Sequence, residues 1–295
     1  MKKNSDKKKI VFQFYEASVT DNTINFIYQD LCMQCLIDLR EKDFSTYNKT
    51  EFTAYDYKKM CIRAEQQRKY YDVCSAIFTM GEWQAKYLIE KCGVNKNKVF
   101  SVGGGVNVDV TKYNPKNRNH KRILFVGRNF ERKGGALVIE AFKQLKTKYV
   151  NDAELYVVGG GVHKYKYVEG VQFLGDICSS EIVDYYNFCD VFCMPSYFEA
   201  YGIAFIEALC FGMPCIGRNC NEMPYLIQEG RNGYLIENDN IDILCEKMFL
   251  ALNNTEIFGF LEQNRDNYIK KYSWKNVVNK IAEIIDKKVE TNVER

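Results

Sequence analysis

Between residues 121 and 252, short unbroken apolar runs alternate with longer stretches of helical period. The runs are Ile123–Val126, Leu155–Val158, Val171–Leu174, Val191–Met194, Cys215–Gly217 and Gly233–Ile236. A run of this length bounded by turn residues reads as a strand buried on both faces. The stretches Ala136–Lys148, Ser180–Phe188, Ile203–Phe211 and Ile241–Leu252 repeat apolar residues at helical spacing. Strands alternating with helices predict a parallel sheet covered on both sides, and six strands complete a nucleotide-binding type of sheet. Two more helices follow, the last with Trp274, Val277, Val278, Ile281, Ile284 and Ile285 expected along one face.

The first 110 residues carry a thinner version of the same pattern. Strands are expected at Ile10–Phe14, Asn25–Tyr28, Ala76–Thr79 and Val99–Val102. A helix over 55–75 turns Tyr57, Met60, Cys61, Ala64, Tyr71 and Cys74 inward and Lys58, Arg63 and Lys69 outward. Glu82–Lys91 is a second helix, stopped by Gly93. After Gly103, Gly104 and Gly105 the chain turns polar through Pro115 to Lys121, which marks a linker. The expected organisation is a partial N-terminal α/β domain over 1–110, a linker over 111–121, a Rossmann-like domain over 122–272 and a C-terminal helix over 273–295. That helix either caps the second domain or crosses back to the first.

Composition narrows the function. A chain of 295 residues suits two domains, and 46% hydrophobic with 27% charged residues is globular stock. Lys plus Arg number 41 against 38 Asp plus Glu, a net +3, which excludes a protein whose main task is coating nucleic acid. No run approaches the roughly 18 apolar residues of a membrane-spanning helix. Residues 1–9 hold five Lys and one Asp, either a solvated tail or a weak peripheral contact with an anionic membrane. Ile10–Phe14 is too short for a secretion signal, so a cytoplasmic location and twelve reduced cysteines are expected. Cys189, Cys193, Cys210 and Cys215 sit in apolar runs as core residues. Cys32 and Cys35 form an isolated C-x-x-C, and with only His120 and His163 in the chain no metal site is expected.

Three segments carry candidate chemistry. In residues 195–214 a strand ends and a helix begins near Gly202; ligands of open α/β sheets bind at such strand ends, and a helix start suits a phosphate. Glu199 precedes that helix, and Glu207 lies inside it among Phe205, Ile206, Ala208 and Leu209. A carboxylate there needs a partner, and periodicity alone favours a backbone group or an Arg. In residues 123–135 a strand runs into Arg128, Arg132 and Lys133, then a Gly pair. These cations form either an anion site or a surface cluster paired with Glu131. The third segment, residues 155–162, has three glycines without dinucleotide-fingerprint spacing.

Taken together, VGRNFERKGG (126–135), ELYVVGGG (154–161), VQFLGDI (171–177), DVFCMPSYFEAYGIAFIEALCFGMPCI (190–216) and EGRNGYLI (229–236) resemble the retaining glycosyltransferases of group 1, family 4, which have the two-domain α/β GT-B fold. The interval from Glu199 to Glu207 matches that family's E-x7-E signature, and residues 75–109 match more loosely. The resemblance implies sugar transfer, with retention, from a nucleotide-diphosphate-sugar donor to a saccharide or glycolipid acceptor. It implies that Arg128 and Lys133 hold the diphosphate, aided by backbone groups at Tyr201, Gly202 and Ile203. Glu207 would accept from the ribose hydroxyls, Glu199 would orient the donor sugar, and the base would lie near Asp176 and Ile177. No cofactor and no obligatory metal are implied, because cations and a helix start serve instead. The chain departs from the family in having no histidine in its first 110 residues and no glycine-rich loop after its first strand, and the N-terminal domain is expected to be shortened. The alternative is a nucleotide-sugar-binding relic or partner subunit without turnover.

Overall fold

The structure, a computed structural model, describes residues 9–15, 22–114, 121–160 and 165–293, and side chains as far as 290. His120, His163, the basic residues 1–8 and part of the expected linker lie outside the described residues. The chain forms two compact units. The first comprises Met1–Asn48, Phe52–Gly104 and Trp274–Arg295; the second comprises Lys49–Glu51 and Gly105–Ser273. The division at Gly104 precedes the expected 1–110 boundary because residues 105–110 are tied into the second unit. The Val106 amide donates to the Tyr272 carbonyl at 3.0 Å, and the Asn107 amide donates to Glu207.

In the first unit, β1 (Lys9–Phe14), β2 (Thr23–Gln29), β3 (Ala76–Thr79) and β4 (Val99–Ser101) are parallel neighbours in that order. Between them run α1 (Met33–Lys42), α2 (Phe44–Tyr47), α3 (Tyr57–Val73) and α4 (Glu82–Glu90). Strands added successively on one side, through right-handed crossovers, put every connecting helix on the same face of a sheet. The side chains follow: Ile27, Ile77 and Val99 pack with Tyr70, Tyr71 and Leu88 of α3 and α4. The alternate residues Phe26, Tyr28, Ala76 and Phe78 face the other way.

That second face is covered by the last helix of the chain, α11 (Trp274–Val293). Val277, Ile281, Ile284, Ile285 and Val289 lie against Phe26, Phe78 and Phe100. Only part of the expected apolar stripe is used: Trp274 is 43% and Val278 57% exposed. Spacings of four, seven and eight from Val277 meet the sheet, whereas Val278 lies a further 100° around the helix.

The second unit holds β5 (Arg122–Val126), β6 (Glu154–Val158), β7 (Val171–Gly175), β8 (Val191–Cys193), β9 (Cys215–Arg218) and β10 (Gly233–Ile236). They are parallel in the order β10-β9-β8-β5-β6-β7, the doubly wound arrangement. The helices are α5 (Gly135–Lys148), α6 (Ile182–Phe188), α7 (Ile203–Cys210), α8 (Met223–Leu226), α9 (Ile241–Asn253) and α10 (Thr255–Lys271). Because α7 is apolar nearly all round, it is interior: Phe205, Ile206, Ala208 and Leu209 are fully buried, and Phe205 meets Phe192 of β8 edge to face at 5.1 Å. The strand order reverses between β5 and β8, which opens a crevice at their carboxyl ends.

Candidate active site

The crevice is built from two loops, 127–134 after β5 and 194–202 after β8. Glycines let these loops, and the turn after β6, approach one another. A Cβ on Gly134 would stand 2.6 Å from the Pro195 carbonyl oxygen, and one on Gly159, where φ is +106°, would stand 2.5 Å from the Gly127 oxygen. Only glycine permits this approach. The Tyr197 amide donates to the Arg132 carbonyl at 2.9 Å, and the Ser196 hydroxyl bridges the Arg132 and Phe198 carbonyls.

Three charges meet there. The Lys133 ammonium donates to Glu199 Oε2, and Arg132 Nη1 lies 3.7 Å from the same oxygen. All three side chains are largely shielded, exposed by 14% for Lys133, 13% for Arg132 and 11% for Glu199. Arg132 is held further by the Phe198 carbonyl at 2.6 Å and by Glu51 at 3.2 Å. The Glu199 amide donates to Asn221 Oδ1 at 3.3 Å, and Asn221 holds the left-handed φ of +49°. Two cations on one partly desolvated carboxylate form a charge-assisted cluster that an incoming anion can enter by exchange.

Helix α7 starts beside this cluster. Its N-cap Gly202 has φ +84°, and a Cβ there would touch Glu199 Cγ at 3.4 Å. First-turn amides of a helix have no partner within it and carry partial positive charge. Tyr201 and Gly202 are buried and Ile203 is half-buried at this start.

The structure does not gather every expected residue. Arg128 projects into solvent, 90% exposed, 3.8 Å from Asp176, which is itself 71% exposed. Ile177 is half-buried in the loop after β7, two strands away from β5. Glu207 lies one turn inside α7 and is already paired: Oε1 accepts from the Asn107 amide at 3.1 Å and Oε2 from the buried Tyr186 hydroxyl at 2.9 Å. Glu207 thus meets a backbone group, one of the two partners that periodicity suggested, and a tyrosine hydroxyl in place of the other, an arginine. Burial pushes the Glu207 carboxyl above its ordinary range, only partly offset by those two hydrogen bonds. Among the described residues no cluster of three or more His, Cys, Asp or Glu is placed to hold a metal ion.

Several participants escaped sequence reading. Arg132 was named in the basic loop, but the diphosphate role fell to Arg128 and Lys133 alone. Asn221, Asn107 and Tyr186 reach the two glutamates from 22, 100 and 21 positions away. Arg218, the last residue of β9, is buried against the Tyr197 ring and bound to Asp239 at 2.6 Å. No local periodicity signals such pairings.

Two parallel α/β units, one doubly wound with a charged crevice at its switch point, define a GT-B glycosyltransferase fold. The chain belongs to the group 1 glycosyl transferases, whose family model matches residues 109–276, more than half of it. An uncharacterized glycosyltransferase of Methanocaldococcus jannaschii is 26% identical over 205 residues, covering 68% of this chain and 58% of that protein. WaaG, a glycosyltransferase involved in lipopolysaccharide biosynthesis, superposes with a TM-score of 0.71 at 19% identity, over 93% of this chain and 77% of that one. HepE of Anabaena in complex with UDP and glucose gives a TM-score of 0.65 at 14% identity, over 89% of this chain and 78% of that one. The chain spans about half the length of the curated relatives it matches, from 46% to 58% for the first three. No helix among the described residues is long and apolar enough to cross a membrane.

Proposed function

We propose that the protein transfers a sugar, with retention, from a nucleotide-diphosphate-sugar donor to a saccharide or glycolipid acceptor, and that the second unit binds the donor. The observation that carries this reading is the cluster of Lys133 and Arg132 on Glu199 at the switch point, beside the start of α7. The diphosphate displaces Glu199 from Lys133 and takes the ammonium together with the first-turn amides around Tyr201, Gly202 and Ile203. Arg128 folds in from solvent to close on it. The charge that grows on the leaving diphosphate is then met by groups already in place, without an obligatory metal. The freed Glu199 carboxylate orients the donor sugar. Glu207 accepts from the ribose through the lone pairs left by Asn107 and Tyr186, since a carboxylate offers about four acceptor positions. The base lies by Ile177 and Asp176.

Support for the donor class comes from the UDP and glucose held by HepE, and for the acceptor class from the lipopolysaccharide role of WaaG. The reading includes a cytoplasmic location with peripheral membrane contact, and no nucleic acid. The test is a thermal-shift screen of uridine, guanosine and adenosine diphosphates and their sugar conjugates. One diphosphate should raise the melting point, by an amount corresponding to about 2.7 kcal/mol when present at a hundred times its Kd. A melting point indifferent to all of them overturns the reading. Binding without transfer or donor hydrolysis over long incubation selects the relic instead.

A further inference from the structure

The transferase reading leaves unused a cluster of thiols in the first unit. Cys32 is the N-cap of the ten-residue helix α1 and Cys35 lies in its first turn, with the two sulfurs 3.4 Å apart. Both residues are buried. Gln84, fully buried, accepts from Cys35 Sγ through Oε1 at 3.3 Å, while its Nε2 has no hydrogen-bond partner. A buried amide N–H left unpaired beside a thiol is an unusual arrangement. The same amide lies within reach of Cys32, where an N–H aimed at sulfur favours the thiolate.

The pair is asymmetric. Cys32 lines a cleft of about 390 Å³ together with Cys61, Tyr71 and Cys92, whereas Cys35 is not among the lining residues. Cys32 is 1% and Cys35 3% exposed, but of the two only Cys32 borders the cleft. Hydrogen bonds from Cys35 and Cys92 hold the Cys32 thiol well below its ordinary range, while burial raises that of Cys35. A thiolate at a helix N-terminus is favoured on general grounds.

We propose that Cys32 and Cys35 form a redox-active dithiol that reacts with a low-molecular-weight disulfide entering this cleft. The Cys32 thiolate attacks one sulfur of the disulfide, forming a mixed disulfide and releasing one thiolate. Cys35 then gives up its proton, attacks Cys32 Sγ and expels the second thiolate. Two protein thiols lose two electrons and two protons, and the small disulfide becomes two thiols. This inference is independent of the transferase reading, since all its residues lie in the first unit and none belongs to the donor crevice.

The test uses the full native chain, reduced and freed of reductant, then exposed to excess glutathione disulfide and mapped by alkylation and peptide mass analysis. The expected result is one bridge, Cys32 to Cys35, reversed by dithiothreitol, with the core thiols Cys193 and Cys215 still alkylated as free thiols after unfolding. Cys35→Ser should trap one glutathione on Cys32, and Cys32→Ser should leave Cys35 unmodified. Cys32 and Cys35 recovered as free thiols, or a bridge that maps to other cysteines, would overturn the proposal. The wild-type map decides even where a variant fails to fold.

Discussion

Both sheets of this protein are parallel, yet one adds its strands in a single direction and the other turns back on itself. The order β1-β2-β3-β4 places every connecting helix on one face, so the first unit needs α11, from the far end of the chain, to cover the other. The reversed order of the second unit supplies helices to both faces from within. The same reversal separates the loops after β5 and β8 and makes the crevice that holds Lys133, Arg132 and Glu199. One topological choice therefore decides both self-sufficiency and the place of the site.

The sharpest way to break this contrast is Val277→Asp. Val277 is 1% exposed on the sheet-facing side of α11, and an unpaired carboxylate there should cost about 3 kcal/mol or more. Hydrogen exchange should show β1–β4 losing protection while β5–β10 keep theirs. Equal loss in both units would refute the separate dependence on α11.

Next in size, Glu199→Ala should lower transfer about 100-fold or more while nucleotide affinity stays within a few-fold. Lys133→Ala should weaken nucleotide diphosphate binding about tenfold. Calorimetry beside a transfer assay separates the two, and equal small effects would count against the donor crevice.

Glycines compare the units at a finer scale. Gly159→Ala forces a Cβ against the Gly127 carbonyl at a φ of +106° and should cost about 3 kcal/mol. Gly93→Ala in the first unit has φ +68° but nothing within 4 Å, so only the left-handed strain of about 1 kcal/mol remains. Denaturant titration of the two variants checks the ranking.

The smallest expected effect is a pH slope. The Glu207 carboxyl is raised above its ordinary 4.5, so the folded protein holds this proton more tightly than the unfolded chain. The associated stability is fully present below that value and is lost as pH rises through the folded value. Glu207→Gln should flatten this part of the melting profile, and profiles that stay parallel from about pH 4 to 8 would show that the carboxyl does not titrate as described.

Legibility followed how far apart the interacting residues lie. The six strands of the second unit stood out because strands buried on both faces become unbroken apolar runs, and Ile123, Leu124 and Phe125 are all fully buried. Helix α1 went unread because only Cys35, Leu36 and Ile37 of its ten residues are buried, three neighbours that show no helical period. The switch-point loops were legible as a motif, but the division of labour inside one of them was not: Arg128 points to water and Arg132 to Glu199.

From local pattern alone came the strand and helix positions, the parallel α/β class, the family resemblance and the short list of charged residues. The element positions and the class depend on side chains within a few positions of one another, so periodicity and spacing record them, whereas the resemblance rests on five motifs in order. Which face α11 covers, which cation meets Glu199, and that Asn107 and Tyr186 already hold Glu207 were decided only by the folded chain. Each joins residues brought together by strand order and crossover handedness, and such distances through space leave no period along the sequence.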